Sequence, residues 1–135
     1  MLLKDVLSVN EALKKLCEKR LKNFKTSRSL SKLLKKVDDE TGFYSQEYKK
    51  LLDIYAKKDP QGNLIMRGKS SFELKDPDSK VKYEQEFKDL LETDVGQFEP
   101  VSVNESDFVD TNDLPTAQEM NLLEIVINWD DVKLN

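Results

Sequence analysis

The feature that most constrains this chain is an unbroken four-three alternation running from Leu30 to Tyr55. Leu30, Leu34, Val37, Thr41, Tyr44, Tyr48, Leu51 and Tyr55 keep the beat without a gap. A strand would carry its apolar residues at every second position, whereas this spacing returns them to one edge of a helix. A seven-residue repeat of that kind asks for a long helix, spanning 29–57, with a neighbour laid along its seam. In this register Asp38, Asp39 and Glu40 fall outside the seam, on a solvated shoulder rather than in a metal or catalytic cluster. Gly42 costs about 1 kcal/mol relative to alanine inside a helix, which flanking packing can absorb. The competing reading is a break at Thr41-Gly42 with two stacked helices, and the seam survives either way.

The elements around this rod follow from caps and turns. Ser8-Val9-Asn10-Glu11 has the form of a capping box, so a first helix is expected over 8–23, with Val9, Leu13, Leu16, Cys17, Leu21 and Phe24 at the spacing of one face. Asp59-Pro60-Gln61-Gly62-Asn63 ends the long helix, because proline cannot continue it. Leu64 to Leu74, with Gly68 between two short apolar runs, suggests a β-hairpin over 63–75. Asp76-Pro77-Asp78-Ser79 caps a helix over 79–92, with Tyr83, Phe87, Leu90 and Leu91 on one face. An extended segment over 94–103 contains Pro100 and is at best an edge strand. An acidic loop follows over 104–114, and Thr116-Ala117-Gln118-Glu119 opens a last helix over 116–128. That helix carries Met120, Leu122, Leu123, Ile125, Val126, Ile127 and Trp129, and is apolar nearly all round.

The expected architecture is a single α+β domain over 1–135, mainly helical: a long antiparallel helical hairpin, a small β-hairpin or three-stranded patch, and a closing apolar C-terminal helix. At 135 residues, with 38% hydrophobic and 36% charged residues, one modest core is the natural arrangement. No apolar run approaches the roughly 18 to 20 residues needed to span a bilayer. The opening MLLKDVLSV meets charge too early for a secretory signal, so a cytosolic protein that does not engage membranes is expected.

Composition also narrows the chemistry. The chain has no histidine and one cysteine, Cys17, which removes Ser-His-Asp and Cys-His nucleophile systems and histidine metal sites together. Cys17 sits among apolar helix positions and reads as packing. Carboxylate and lysine chemistry remain. Glu73-Leu74-Lys75 with Asp59 upstream matches the acid and Glu-x-Lys pattern of metal-dependent nucleases, but such triplets arise by composition in a chain this charged. Asp107, Asp110 and Asp113 lack the spacing and glycine of the helix-loop-helix calcium site. No catalytic, metal or cofactor residue is therefore assigned, and the chain is expected not to be an enzyme.

Charge is segregated. Residues 1–36 hold eleven Lys or Arg against three acids, and residues 92–135 hold one Lys against eleven acids. Pairing of opposite ends, within one molecule or between copies, accounts for this better than nucleic acid. Aromatic support in the basic part stops at Phe24, and the acidic part would repel phosphates. The expected interaction residues are Leu30, Leu34, Tyr44, Tyr48 and Tyr55 on the seam, with Met120, Leu123, Ile127 and Trp129 on the last helix. Asp107, Asp110, Asp113, Asp130 and Asp131 form an expected acidic surface.

The order of these elements resembles a family of small, uncharacterised bacteriophage proteins from phages of low-GC bacteria. The resemblance rests on the Val9-Asn10 opening, Leu51-Leu52-Asp53-Ile54-Tyr55, Lys58-Asp59-Pro60-Gln61-Gly62-Asn63, Phe87-Lys88-Asp89-Leu90-Leu91-Glu92 and Leu114-Pro115-Thr116-Ala117-Gln118-Glu119-Met120. It implies no known activity and no catalytic residues. It does imply residence in the bacterial host cytoplasm or the virion. The function expected on this basis is a non-enzymatic phage protein acting through contacts with phage or host proteins, as an oligomeric virion or assembly component. The alternatives are an accessory inhibitor of a host enzyme or defence system working through its acidic surface, and a metal-dependent nuclease.

Overall fold

The computed structural model describes residues 1–69 and 71–130. It is mainly helical, with four helices and a two-stranded parallel sheet. Its backbone contacts divide the chain into two compact units, one formed by Met1–Thr41 and the chain from Asp94 onward, the other by Gly42–Thr93. No helix among the described residues is long and apolar enough to cross a membrane.

In the first unit, α1 spans Leu3–Cys17, starting and ending earlier than the expected 8–23. Leu3 and Val6 share the buried face with Val9, Leu13 and Leu16, so the apolar spacing already begins at Leu3. The Asp5 carboxylate accepts from the Leu2 N–H (3.3 Å) and closes the helix start, while the Ser8 hydroxyl donates back to the Asp5 carbonyl (2.7 Å) inside the helix. At the far end Leu21 leaves helical geometry to make an isolated antiparallel bridge with Phe108.

Helix α2 spans Phe24–Tyr55 and runs through Gly42 as one element, so the break considered at Thr41-Gly42 does not occur. Asn23 caps it, its Oδ1 accepting from the N–H groups of Lys25 (3.0 Å) and Thr26 (3.4 Å). Leu30, Leu33 and Val37 of its first half enter the core with α1. The parallel pair of β1 (Val101–Asn104) and β2 (Ile127–Asp130) aligns Val101 with Ile127 and Val103 with Trp129. Val103 and Ile127 are buried there. Helix α4 (Ala117–Leu123) begins at the expected capping box, with Thr116 Oγ1 accepting from the Glu119 N–H and Glu119 Oε1 from the Thr116 N–H.

The closing helix expected over 116–128 is corrected here. It ends at Leu123, the Val126 N–H turns back to the Leu123 carbonyl (3.0 Å), and Ile127 to Asp130 run as β2. The run Ile125-Val126-Ile127 is β-branched, stiff at χ1 and better suited to a pleated surface. Once β1 offers a partner, pairing wins over helix continuation. Helix α1 packs against α4 and shares the core with the first half of α2.

The second unit holds the end of α2 and α3 (Pro77–Leu91), the latter capped by Asp76, whose Oδ1 accepts from the Ser79 N–H (2.7 Å). Between them the chain makes isolated antiparallel bridges, Ala56 with Leu74, Lys58 with Leu64 and Met66 with Phe72. Asp59 Oδ1 accepts from both Gln61 and Asn63 N–H groups (2.9 Å each), and Gly62 takes φ +87°. That backbone conformation is open to glycine without steric cost.

Candidate functional site

Five aromatic rings form a continuous string in the second unit. Tyr44 and Tyr48, one helical turn apart on α2, stack with centroids 5.7 Å apart and planes 12° apart. Tyr83 and Phe87, one turn apart on α3, stack at 5.8 Å and 12°. Tyr48 meets Phe87 at 5.7 Å with planes tilted by 59°, and Phe72 meets Tyr83 edge-on at 5.7 Å and 89°. The i, i+4 spacing puts each pair on one helix face, and offset or edge geometry is what ring quadrupoles favour, at about 0.5 to 1.5 kcal/mol per pair. All five rings are half-buried. The core beneath them is thin: in this unit the fully covered hydrophobic side chains are Ala56 and Leu90. In the same unit Ile54, Met66 and Val81 stand exposed, Val81 at 67%.

The Tyr83 and Tyr44 hydroxyls of this string titrate high. Burial, followed by a hydrogen bond with Tyr48, pushes the Tyr83 phenol well above its ordinary value. Burial and the neighbouring Tyr48 raise Tyr44. Tyr55 is raised first by hydrogen bonding with Glu86. These phenols stay protonated across the physiological range and act as hydrogen-bonding, amphipathic surface.

The other sequence-selected residues divide sharply. Tyr44 and Tyr48 come together as expected of a seam, and Tyr55 lies on α2 beyond them. Leu30, Met120, Leu123 and Ile127 are buried in the first unit's core, and Leu34 packs against it. As docking residues they are corrected: their own chain covers them, because α1, α4 and β2 close over them. Trp129 is half-buried and donates its indole N–H to the Met120 carbonyl (3.1 Å). Tyr83, Phe87 and Phe72 were not selected as site residues, although the i, i+4 spacing of Tyr83 and Phe87 was visible and matched that of Tyr44 and Tyr48.

Asp107 is also corrected. It is 5% exposed rather than part of an acidic surface. Its Oδ2 accepts from the Asn104 N–H (2.9 Å) and from Thr26 Oγ1 (3.5 Å), and its carbonyl accepts from the Lys22 N–H (2.7 Å). In a parallel pair alternate residues point their peptide groups away from the partner strand. Asp107 caps the outward N–H of Asn104 at the end of β1. The spacing Asn104-Glu105-Ser106-Asp107 carried that signal. Asp110 is exposed and its Oδ1 accepts from the Asn112 N–H (2.9 Å), Asp113 is half-buried, and Asp130 is exposed. Asp131 lies outside the described residues.

The nuclease pattern is taken apart in the same way. Asp59 holds the turn at Gln61 to Asn63, while Glu73 pairs with Arg67 (3.3 Å) and reaches Lys57 (4.0 Å). Among the described residues no three His, Cys, Asp or Glu side chains gather as a metal-holding group. Cys17 Sγ donates to the Leu30 carbonyl (3.6 Å), and burial, with Asp38 nearby, pushes its thiol up to about 11. The Asn10 amide nitrogen donates to Thr41 Oγ1 (3.2 Å), which itself donates to the Val37 carbonyl (3.0 Å).

A family model for proteins of unknown function matches residues 2–127. The chain belongs to the DUF1617 family. No curated protein and no solved structure matches it. Membership of DUF1617 covers all four helices and the whole of β1, so the aromatic string lies within the family's extent.

Proposed function

We propose that this DUF1617 protein is a non-enzymatic bacteriophage protein that works through protein–protein contacts, as an oligomeric component of the virion or of its assembly in the host cytoplasm. The observation that supports this reading is the half-open aromatic string Tyr44–Tyr48–Phe87–Tyr83–Phe72 over a thin core. Tyrosine, phenylalanine and methionine are the residues enriched where proteins meet, because large rings bring contact area with few rotatable bonds. The same unit leaves Ile54, Met66 and Val81 exposed. The functional seam of this reading is thus Tyr44 and Tyr48 joined by the α3 rings.

The acidic-inhibitor alternative has less support, since Asp107 has a structural task at the end of β1. The experiment is a pair of measurements. Light scattering of the purified chain is expected to return a multiple of 15.7 kDa, and Tyr44→Glu with Tyr83→Glu to return the monomer with its helical circular dichroism retained. Mass spectrometry of purified virions is expected to find the chain. A strict monomer, together with absence from virions, would remove the reading.

A further inference from the structure

Between the first half of α2 and the segment Glu99–Ser102 lies a groove of about 480 Å³. Its helical wall presents Lys25, Ser29, Lys32 and Lys36, a four-three-four stripe, and Glu99 and Ser102 stand opposite. At 1.5 Å rise per residue the successive lysines are about 10 and 6 Å apart along the axis. From Lys19 to Val37 the chain carries eight Lys or Arg and no acid. Among the described residues none of the three groove lysines has a carboxylate within 4 Å. Asn23 already caps the first turn of α2, so the positive field comes from side chains rather than from an open helix end. Phe24, next in the chain to two groove residues, is 84% exposed, the most exposed large hydrophobic side chain among the described residues.

We infer that this groove binds single-stranded nucleic acid along its phosphate backbone, with Phe24 offering a face for a base. A cationic groove that tracks phosphates, bordered by an open aromatic ring, is the combination by which single strands are held without sequence readout. A protein occupant fits less well. Lysine is depleted from the centres of protein interfaces, and three lysines line this groove. A duplex fits less well again, because a helix reads it by protruding into its groove rather than by lining a concavity. The sequence set nucleic acid aside because of the acidic C-terminal part. The structure changes the weighing, since Phe24 is open. Glu99, in the wall itself, and Asp107, whose buried Oδ2 accepts from the groove residue Thr26 (3.5 Å), oppose binding locally.

The test is fluorescence anisotropy of the full chain with a labelled oligothymidylate of about twelve nucleotides, an oligouridylate and a duplex of the same length, and inorganic polyphosphate as a competitor without bases. The single strands are expected to bind more tightly than the duplex, with log K falling against log salt at a slope of about −2 for three lysine contacts. Lys25→Ala with Lys32→Ala and Lys36→Ala should weaken binding at least about tenfold at low salt with the circular dichroism spectrum unchanged, because all three side chains are exposed. Phe24→Ala should weaken the oligonucleotides but not polyphosphate, and Glu99→Gln should tighten both. Absence of binding at low salt overturns the inference, as does a triple variant that binds as well as the parent. A triple variant that alters only the mass seen by light scattering would make the groove a protein contact, and would overturn it too.

Discussion

Replacing Gly42 by alanine should stabilise this protein, and the size of the effect follows from its surroundings. Gly42 lies in the interior of the 32-residue α2, and a Cβ built on it meets nothing within 4 Å. Packing therefore neither gains nor suffers, and the change reduces to backbone propensity, about 1 kcal/mol in favour of alanine. Unfolding entropy of about 2.1 cal/mol/K per residue gives a chain of this length about 0.28 kcal/mol/K, so 1 kcal/mol should raise Tm by about 3 to 4 °C. Gly42→Pro is the companion variant. It deletes a helical hydrogen bond and clashes with the preceding turn, at about 3 kcal/mol or more, a fall of about 10 °C by the same conversion. Thermal melts followed by circular dichroism at 222 nm would measure both. A Gly42→Ala protein that melts no higher than the parent, with a Gly42→Pro protein within a degree or two of it, would refute an uninterrupted helix at this position.

Three further outcomes are expected. Trp129→Phe should cost about 1 to 2 kcal/mol in urea unfolding followed by circular dichroism, since the Met120 carbonyl loses the indole donor; an unchanged midpoint would count against that bond. The carboxyls of Glu119, Asp94 and Asp76 are held below their ordinary values, chiefly by the backbone N–H groups of Thr116, Gly96 and Ser79. Because folding lowers these values, their contribution is complete above the unfolded carboxylate range near about 4 and is lost as pH falls through the folded values. Stability should accordingly be level with respect to these groups from pH 7 to about 5 and decline below about 4, with a shallower decline in Glu119→Gln; an equally steep decline in that variant would refute the assignment for Glu119. Cys17, with its thiol pushed up to about 11 from an ordinary 9.0, should react with a disulfide reagent at pH 8 about 100-fold more slowly than a free thiol of that ordinary value, and a folded protein reacting at the free-thiol rate would contradict its burial.

Local signals in the sequence were enough for the rod and for several caps. The four-three beat from Leu30 to Tyr55 required a helix whatever lay beside it, and α2 is that helix. Asp76 before Pro77, and Thr116 with Glu119, form their hydrogen bonds within four residues of themselves, so nothing distant had to be known. The pairing of Tyr44 with Tyr48 is likewise a property of one helix face.

Tertiary structure decided what those local patterns would face. The run Ile125-Val126-Ile127 with Trp129 suits a helix apolar all round as well as a strand, and the choice fell to β1, a partner more than twenty residues away in the chain. Asp107 looked like one acid among many until Thr26, brought close by the bridge between Leu21 and Phe108, and the outward N–H of Asn104 gave it a buried role. The lysines of α2 became a groove only when Glu99 to Ser102 formed the opposite wall. Periodicity records which residues share a side of an element, and it carries no record of what will be packed against that side. Burial, edge capping and concavity are set by residues far apart in the chain, whose meeting depends on the sum of many weak contacts rather than on any short stretch.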